Sequence, residues 1–285
     1  MRRAGPTRRV PVRHFGPSAD RPHGRARDAV AGEEPLQLRL ERDGASTPLV
    51  TTLRTPGSDF ELAAGFLLAE GIVHRREQVL GLRYCRDAPS EERFNVLQLR
   101  LAPDARLPDA DHLHRFTATA ACGVCGKGQL TSLAERGCSP IEDGLRVPAS
   151  VLATLPERLR EHQPLFGATG GLHAAGLFTA DGTLLVARED VGRHNAVDKV
   201  FGWALLEDRL PLTGTIVCVS GRAGYELVQK SLVARAPVFA AVSAPSSLAI
   251  GVARRYGLTL AAFVRDGRLS VYAGDERVVD DLGRG

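Results

Sequence analysis

Residues 36–54 alternate apolar and polar positions in two short runs, Leu36-Gln37-Leu38-Arg39-Leu40 and Leu49-Val50-Thr51-Thr52-Leu53, with Asp43-Gly44 between them. A period of two on either side of a turn dipeptide predicts a β-hairpin. Pro56-Gly57 breaks that pattern. Ser58-Asp59-Phe60-Glu61 then has the spacing of a capping box, opening a helix through about Glu70 that Gly71 can terminate. Residues 94–101 alternate again and read as a strand. From about residue 146 the period changes. Strands at Thr183–Ala187, Thr215–Val219 and Val238–Val242 are each followed by a polar loop and a helical apolar stripe. The first stripe is Ala196, Val197, Val200, Phe201, Ala204 and Leu205; the second runs from Tyr225 to about Ala234, and the third ends at Tyr256. A last strand pair, Thr259–Phe263 and Leu269–Tyr272, is joined by Val264-Arg265-Asp266-Gly267-Arg268.

The fold class that follows is α/β. A smaller N-terminal α+β subdomain covers residues 31–115, a mobile loop 116–145, and an α/β domain 146–285. Its sheet is mostly parallel, and ligands bind just beyond the carboxyl ends of its strands. With 285 residues and 44% hydrophobic content the chain can build one large domain or two smaller ones. The formal charge is +4, yet residues 1–30 alone hold eight Arg and two Asp, or +6, which leaves −2 for the rest. The basic character therefore belongs to an Arg/Pro/Gly-rich stretch, expected to be a disordered tail, and the folded part gives no reason to expect nucleic acid. No apolar run reaches membrane-spanning length, and Arg8-Arg9 is not followed by a signal-peptide core, so no membrane association is expected. Five cysteines, two of them in a Cys-x-x-Cys, suit a reducing compartment, the cytoplasm, better than a secreted disulfide framework. The chain has 34 Arg but three Lys, Lys127, Lys199 and Lys230. Where Arg is the default cation, a Lys suggests a need for a compact ammonium.

The candidate chemistry lies in two places. Cys122-Gly123-Val124-Cys125-Gly126 sits among glycines and small residues, with Lys127 beside it. A structural zinc there would need Cys138 and His112 or His114, at a spacing that matches no common finger or ribbon. A thioredoxin-like dithiol would want a strand before and a helix after, and a zinc nucleotide deaminase would want H-x-E and a Pro before the first Cys, where Ala121 stands. The fourth reading is a persulfide carrier, which needs an accessible thiol of lowered pKa. Cys85 and Cys218 sit in strand contexts and are expected to be buried and inert. The second place is the row of strand-end loops, with Arg188, Arg193, His194, Ser220, Arg222, Ser243, Ser246, Ser247, Arg265 and Arg268. Glycine for close backbone approach, helix N-termini and forked guanidinium groups together suit phosphate or pyrophosphate. His194 and His173 are placed near the ligand. Neither G-x-x-x-x-G-K-[ST] nor G-x-G-x-x-G occurs, so ordinary ATP or NAD binding has no direct support.

Cys122-Gly-Val-Cys125-Gly, Thr169-Gly-Gly-Leu-His173, Glu189-Asp-Val-Gly-Arg-His-Asn-Ala-Val-Asp-Lys199, Ser220-Gly-Arg-Ala-Gly-Tyr-Glu-Leu-Val-Gln-Lys230 and Val242-Ser-Ala-Pro-Ser-Ser-Leu-Ala249 together resemble the formate dehydrogenase accessory sulfurtransferase family (FdhD type) from about residue 30 to 280. The resemblance implies a cytoplasmic, dimeric sulfur carrier. It would take sulfur from a cysteine desulfurase and pass it to the molybdenum cofactor, as the bis(molybdopterin guanine dinucleotide), before insertion into formate dehydrogenase. It further implies Cys122 as the persulfide-bearing residue with Cys125 as its partner. Phe263, Val264, Arg265, Asp266, Gly267 and Arg268 would form the guanine dinucleotide-binding stretch, and the reading of the strand-end loops adds Arg222, Ser243 and His194 to the cofactor site. The C-terminal domain would be cytidine-deaminase-like and hold no metal of its own. Some members carry a third Cys where this chain has Gly171. A cofactor-holding chaperone with structural or zinc-binding cysteines, and a dithiol oxidoreductase, remain as alternatives.

Overall fold

The computed structural model describes residues 4–16, 23–42, 45–85, 89, 93–107, 133 and 138–281. The predicted hairpin is present as β3 (Glu34–Arg42) and β4 (Ala45–Arg54), longer than its apolar runs because the flanking polar residues continue the pairing. With β5 (Val79–Tyr84) and β6 (Val96–Leu101) they form a four-stranded sheet in the order β4-β3-β6-β5, in which β3 and β6 run parallel. Leu36, Leu38, Leu97 and Leu99 alternate onto its inner face.

Helix α1 (Asp59–Ala69) lies where the sequence predicts, and Gly71 ends it in the left-handed region with its N–H on Leu68. The capping box does not form. Ser58 has φ 52° and makes no side-chain cap bond, while Glu61 reaches away to hold Arg188 in a two-pronged ion pair at 2.5 and 2.6 Å. Asp59 is taken by Arg54, which is 1% exposed: Nε and Nη2 bind the carboxylate at 3.0 and 3.1 Å, Nη2 also donates to the carbonyl of Phe94, and Nη1 donates to that of Glu34. The start of the helix is thus set by a buried ion pair that ties it to β3, β4 and the strand β6 approach.

The second sheet has six strands in the order β13-β12-β11-β10-β8-β9. They are β8 (His173–Thr179), β9 (Leu184–Asp190), β10 (Thr215–Val219), β11 (Val238–Ala241), β12 (Thr259–Arg265) and β13 (Arg268–Ala273). Only β10 to β11 and β11 to β12 pair in parallel; β8, β9 and β13 run antiparallel to their neighbours, so the sheet is mixed rather than mostly parallel. The cause is β8, which precedes β9 by a tight turn at Gly182 and so enters as one arm of a hairpin. Both faces are covered. Val217 and Val219 point to α4 (Arg193–Leu206) and α5 (Tyr225–Val233), and Ile216 and Cys218 point to α2 (Ala149–Glu161), whose Leu152, Leu155 and Leu159 form one stripe. Helix α3 (Pro164–Thr169) follows α2, and α6 (Ser247–Arg255) connects β11 to β12. A short pair, β7 (Val147–Pro148) with β14 (Val278–Val279), ties the end of the chain to the start of α2.

The two sheets share one core through the crossing of α1 and α4. A Cβ on Gly65 would stand 1.8 Å from the carbonyl oxygen of Asp198, and one on Gly202 would stand 1.7 Å from that of Glu61. Both positions therefore demand glycine, and the backbones meet there.

The sequence expectation of a disordered residue 1–30 segment is corrected. Thr7–His14 (β1) pairs antiparallel with Gly24–Ala31 (β2) over eight residues each, and β2 lies against α3. Val10, Val12 and Ala26 alternate toward the protein while Arg9, Arg13, Arg25 and Arg27 stay exposed, so backbone pairing and a few small apolar contacts suffice where bulk hydrophobicity is low. Within the expected 116–145 loop, Leu133, Cys138 and Ile141 are buried in the main core.

Candidate functional site

The parallel strands β10, β11 and β12 end side by side, and the loops that follow them are stitched together by their backbones. Ser243 donates its N–H to Gly221, Ala223 to Ala244, and Phe263 to Ser243. Ser220 exchanges two bonds with Ala174 on β8: its N–H donates to the Ala174 carbonyl at 3.0 Å and its hydroxyl accepts the Ala174 N–H at 2.9 Å. Ser246 caps α6 by accepting the Ala249 N–H. Beneath these loops opens a cavity of about 670 Å³, within the range of small-ligand sites. Its lining joins Ser220, Val242 and Arg265, with His173 beside Ser220 and Gly221, to Arg160, Gln163, Phe166 and Gly171 from the end of α2 through α3 and the turn after it.

Of the residues the sequence singles out, Arg265, Ser220 and His173 line this cavity. Ser243 stands one residue beyond Val242 and serves through its backbone. Phe263 occupies the left-handed region at φ 51°, in the irregular part of the β12–β13 pairing, with Arg265 5.8 Å over its ring. Asp266, Gly267 and Arg268 form the exposed tip of that hairpin, and Asp266 faces Arg268 at 3.6 Å. Val264 is different: its side chain is fully buried against α2, which leaves only its backbone for a ligand. Arg222 is exposed on its loop.

His194 lies outside the cavity lining. It starts α4, with Nε2 3.7 Å from Glu226 Oε2 at the start of α5, an ion pair longer than a hydrogen bond. His194 beside it, and then a backbone N–H and Arg193, outweigh half-burial to hold the Glu226 carboxyl down at about 2. His173 is pushed below the ordinary histidine value by its burial and then by Arg193 and His194, so it presents a neutral ring to the cavity near pH 7.

The acidic residues before His194 are structural. The Glu189 carboxylate accepts the N–H groups of Leu165 and Phe166 and so caps α3. Asp190, fully buried, accepts from Thr55, Gly192 and Asn195 and pairs with Lys199 at 2.7 Å; Lys199 also donates to the carbonyls of Thr55 and Glu189. Lys230 pairs with Asp198 at 2.6 Å, where burial pushes the Asp198 carboxyl up despite the ammonium. Lys199 and Lys230 are thus buried, paired cations, a use that a compact ammonium suits. Arg188 is spent on Glu61.

Cys122, Cys125 and Lys127 lie outside the described residues, as do His112 and His114. Cys85 and Cys218 are buried, and burial, followed by the charge of Glu157, drives the Cys218 thiol far above its ordinary value, in keeping with an inert thiol. Cys138 sits in the main core and does not line the cavity, so it does not replace a thiol at the Gly171 position. Among the described residues no cluster of three His, Cys, Asp or Glu could hold a metal ion, and no helix is long and apolar enough to cross a membrane. Sequence reasoning missed the lining contributed by α2 and α3, although Leu152, Leu155 and Leu159 carry a helical stripe that marks α2.

Comparison with known proteins identifies the family. The FdhD/NarQ family model matches residues 31–279. A Mycobacterium tuberculosis protein named sulfur carrier protein FdhD is 48% identical over 273 residues, covering 94% of this chain and 96% of its own. A protein of the same name from Mycolicibacterium paratuberculosis is 50% identical over 254 residues, covering 88% of this chain and 92% of its own. Among solved structures, one from Desulfotalea psychrophila, assigned provisionally as a formate dehydrogenase accessory protein, superposes with a TM-score of 0.69 at 25% identity and covers 96% of this chain and 98% of its own. On a family match over nearly the whole chain and relatives about half identical along it, this chain belongs to the FdhD/NarQ family.

Proposed function

We propose that this chain relays sulfur as a persulfide on Cys122 to a molybdenum cofactor bound as its guanine dinucleotide, ahead of that cofactor's insertion into formate dehydrogenase. The observation that carries this reading is the cavity at the strand ends. It is lined by strand-end loops, Arg265, an aromatic ring and a neutral histidine, a combination that suits a nucleotide with its phosphates. The names of the relatives supply the sulfur chemistry.

In the loading step the Cys122 thiolate attacks the outer sulfur of a persulfide on the donor, a cysteine desulfurase. The new S–S bond forms as the old one breaks, the donor cysteine leaves as thiolate, and the proton stays on the transferred sulfur, giving Cys122–S–SH. Lys127 and Cys125 stand beside it in sequence, the first to stabilise anionic sulfur and the second to assist release. Gly171, the position at which some members carry another thiol, lines the cavity, which supports sulfur delivery at that rim. The α/β domain would be cytidine-deaminase-like, with no metal of its own. A dimer acting in the cytoplasm completes the reading.

The test follows labelled sulfur. Protein loaded with ³⁵S from labelled cysteine by a desulfurase is mixed with isolated molybdenum guanine dinucleotide cofactor, and label moves to the cofactor. Label that stays on the protein, with the cofactor bound, would replace this reading with a cofactor-holding chaperone.

A further inference from the structure

Gln163 is 6% exposed, lines the cavity, and has a buried amide Nε2 with no hydrogen-bond partner among the described residues. Its backbone is fully used, the N–H on Arg160 and the carbonyl on Gly167. It stands at the N-cap of α3 yet makes no cap bond with its side chain, because Glu189 already takes the first N–H groups of that helix. A buried amide donor without a partner is costly, and no structural task remains for this one. Beside it the Phe166 ring carries the Arg160 guanidinium 3.9 Å over its face, a stacked surface of the kind that planar rings pack against.

We propose that Gln163 selects the ring of the bound nucleotide by pairing its primary amide with a ring edge that sets a carbonyl acceptor beside an N–H donor. Guanine and pterin share that edge. This rests on the guanine dinucleotide reading above and divides the cavity: the ring enters beside Gln163 and Phe166, and the phosphates turn toward Arg265, which also lines it. A site that hydrogen-bonds one ring edge rejects analogues that leave its buried groups unpaired.

Calorimetric titration of the full-length protein with GDP, ADP and 6-hydroxymethylpterin tests this, in the wild type and in Gln163→Leu and Gln163→Glu. The wild type is expected to prefer GDP over ADP. Gln163→Leu should bind the matching ring on the order of 10- to 100-fold more weakly, the effect of stranding one buried donor or acceptor, while ADP changes little; Gln163→Glu, which loses the donor to the ring carbonyl but can accept from two ring-edge N–H groups, should shift the GDP-to-ADP ratio away from the wild-type value. Loss confined to GDP supports the proposal; loss confined to the pterin would overturn the assignment to the nucleotide ring. Gln163→Glu is nearly isosteric and keeps the test open if Gln163→Leu does not fold, and the GDP-to-ADP ratio is a readout that a purely structural residue would not move. An unchanged ratio and unchanged pterin affinity in both variants would overturn the proposal and leave the dinucleotide reading standing. A wild type that binds none of the three ligands would overturn that reading, and this inference with it.

Discussion

Replacing Gly202 with Ala puts two opposing effects into one methyl group. In a helix interior Ala is favoured over Gly by about 1 kcal/mol, because glycine loses more backbone freedom on folding. At Gly202 that gain meets the backbone of α1: the new Cβ would stand 1.7 Å from the Glu61 carbonyl oxygen and 2.6 Å from both the Glu61 carbonyl carbon and the Gly65 nitrogen. Contacts under about 3 Å are not tolerated, and none of these atoms belongs to a side chain that can swing away, so α1 and α4 must separate by more than an ångström. Overpacking costs about 1–3 kcal/mol, and a clash with a helix backbone belongs at the upper end. The clash wins, with a net destabilisation of about 2 kcal/mol. Gly251→Ala is the internal control. Gly251 lies exposed on α6, where a Cβ would meet nothing within 4 Å among the described residues, so the same exchange there should stabilise by roughly 0.5–1 kcal/mol. Urea unfolding reads both as shifts of the midpoint at constant slope. A neutral or stabilising Gly202→Ala would refute the close crossing through which the two sheets share their core.

Lys199→Met removes the ammonium from a fully buried Asp190 but leaves that carboxylate three N–H donors, so the loss should be near the low end for a broken buried pair, about 3 kcal/mol by urea unfolding; a loss under 1 kcal/mol would contradict the pairing. The Glu226 carboxyl is held at about 2 against an unperturbed 4.5, so its contribution to stability is fully present above pH 4.5 and is lost as the pH falls toward 2. Unfolding midpoints measured at pH 5 and pH 3 should therefore fall further in the wild type than in Glu226→Gln, and equal falls would remove the ion pair with His194 from the account.

Much of the fold from residue 183 onward is legible because each strand is an apolar run bounded by glycine loops and each following helix carries a stripe of period 3.6. Strand direction is not, because β8 and β10 pair across some forty residues and no local pattern states which way they run. The β1–β2 hairpin is hidden by its arginines, which outnumber the few apolar residues that alternate on its inner face. Ser58 shows how a tertiary contact overrides a local motif: Arg54 claims Asp59 and Arg188 claims Glu61, and the capping box has nothing left to close with. In the site, the loops at the strand ends are legible from their Ser, Gly and Arg content. The lining from α2 and α3 is not, since Gln163 and Arg265 are brought together only by packing α2 across the sheet.

The central claim is that Cys122 carries sulfur. Intact mass of the purified protein after incubation with a cysteine desulfurase and cysteine tests it most directly, in the wild type, Cys122→Ala and Cys125→Ala. The account predicts a reductant-sensitive gain of about 32 Da per sulfur in the wild type and in Cys125→Ala, absent from Cys122→Ala. A gain that survives in Cys122→Ala, or no gain in the wild type, would contradict it.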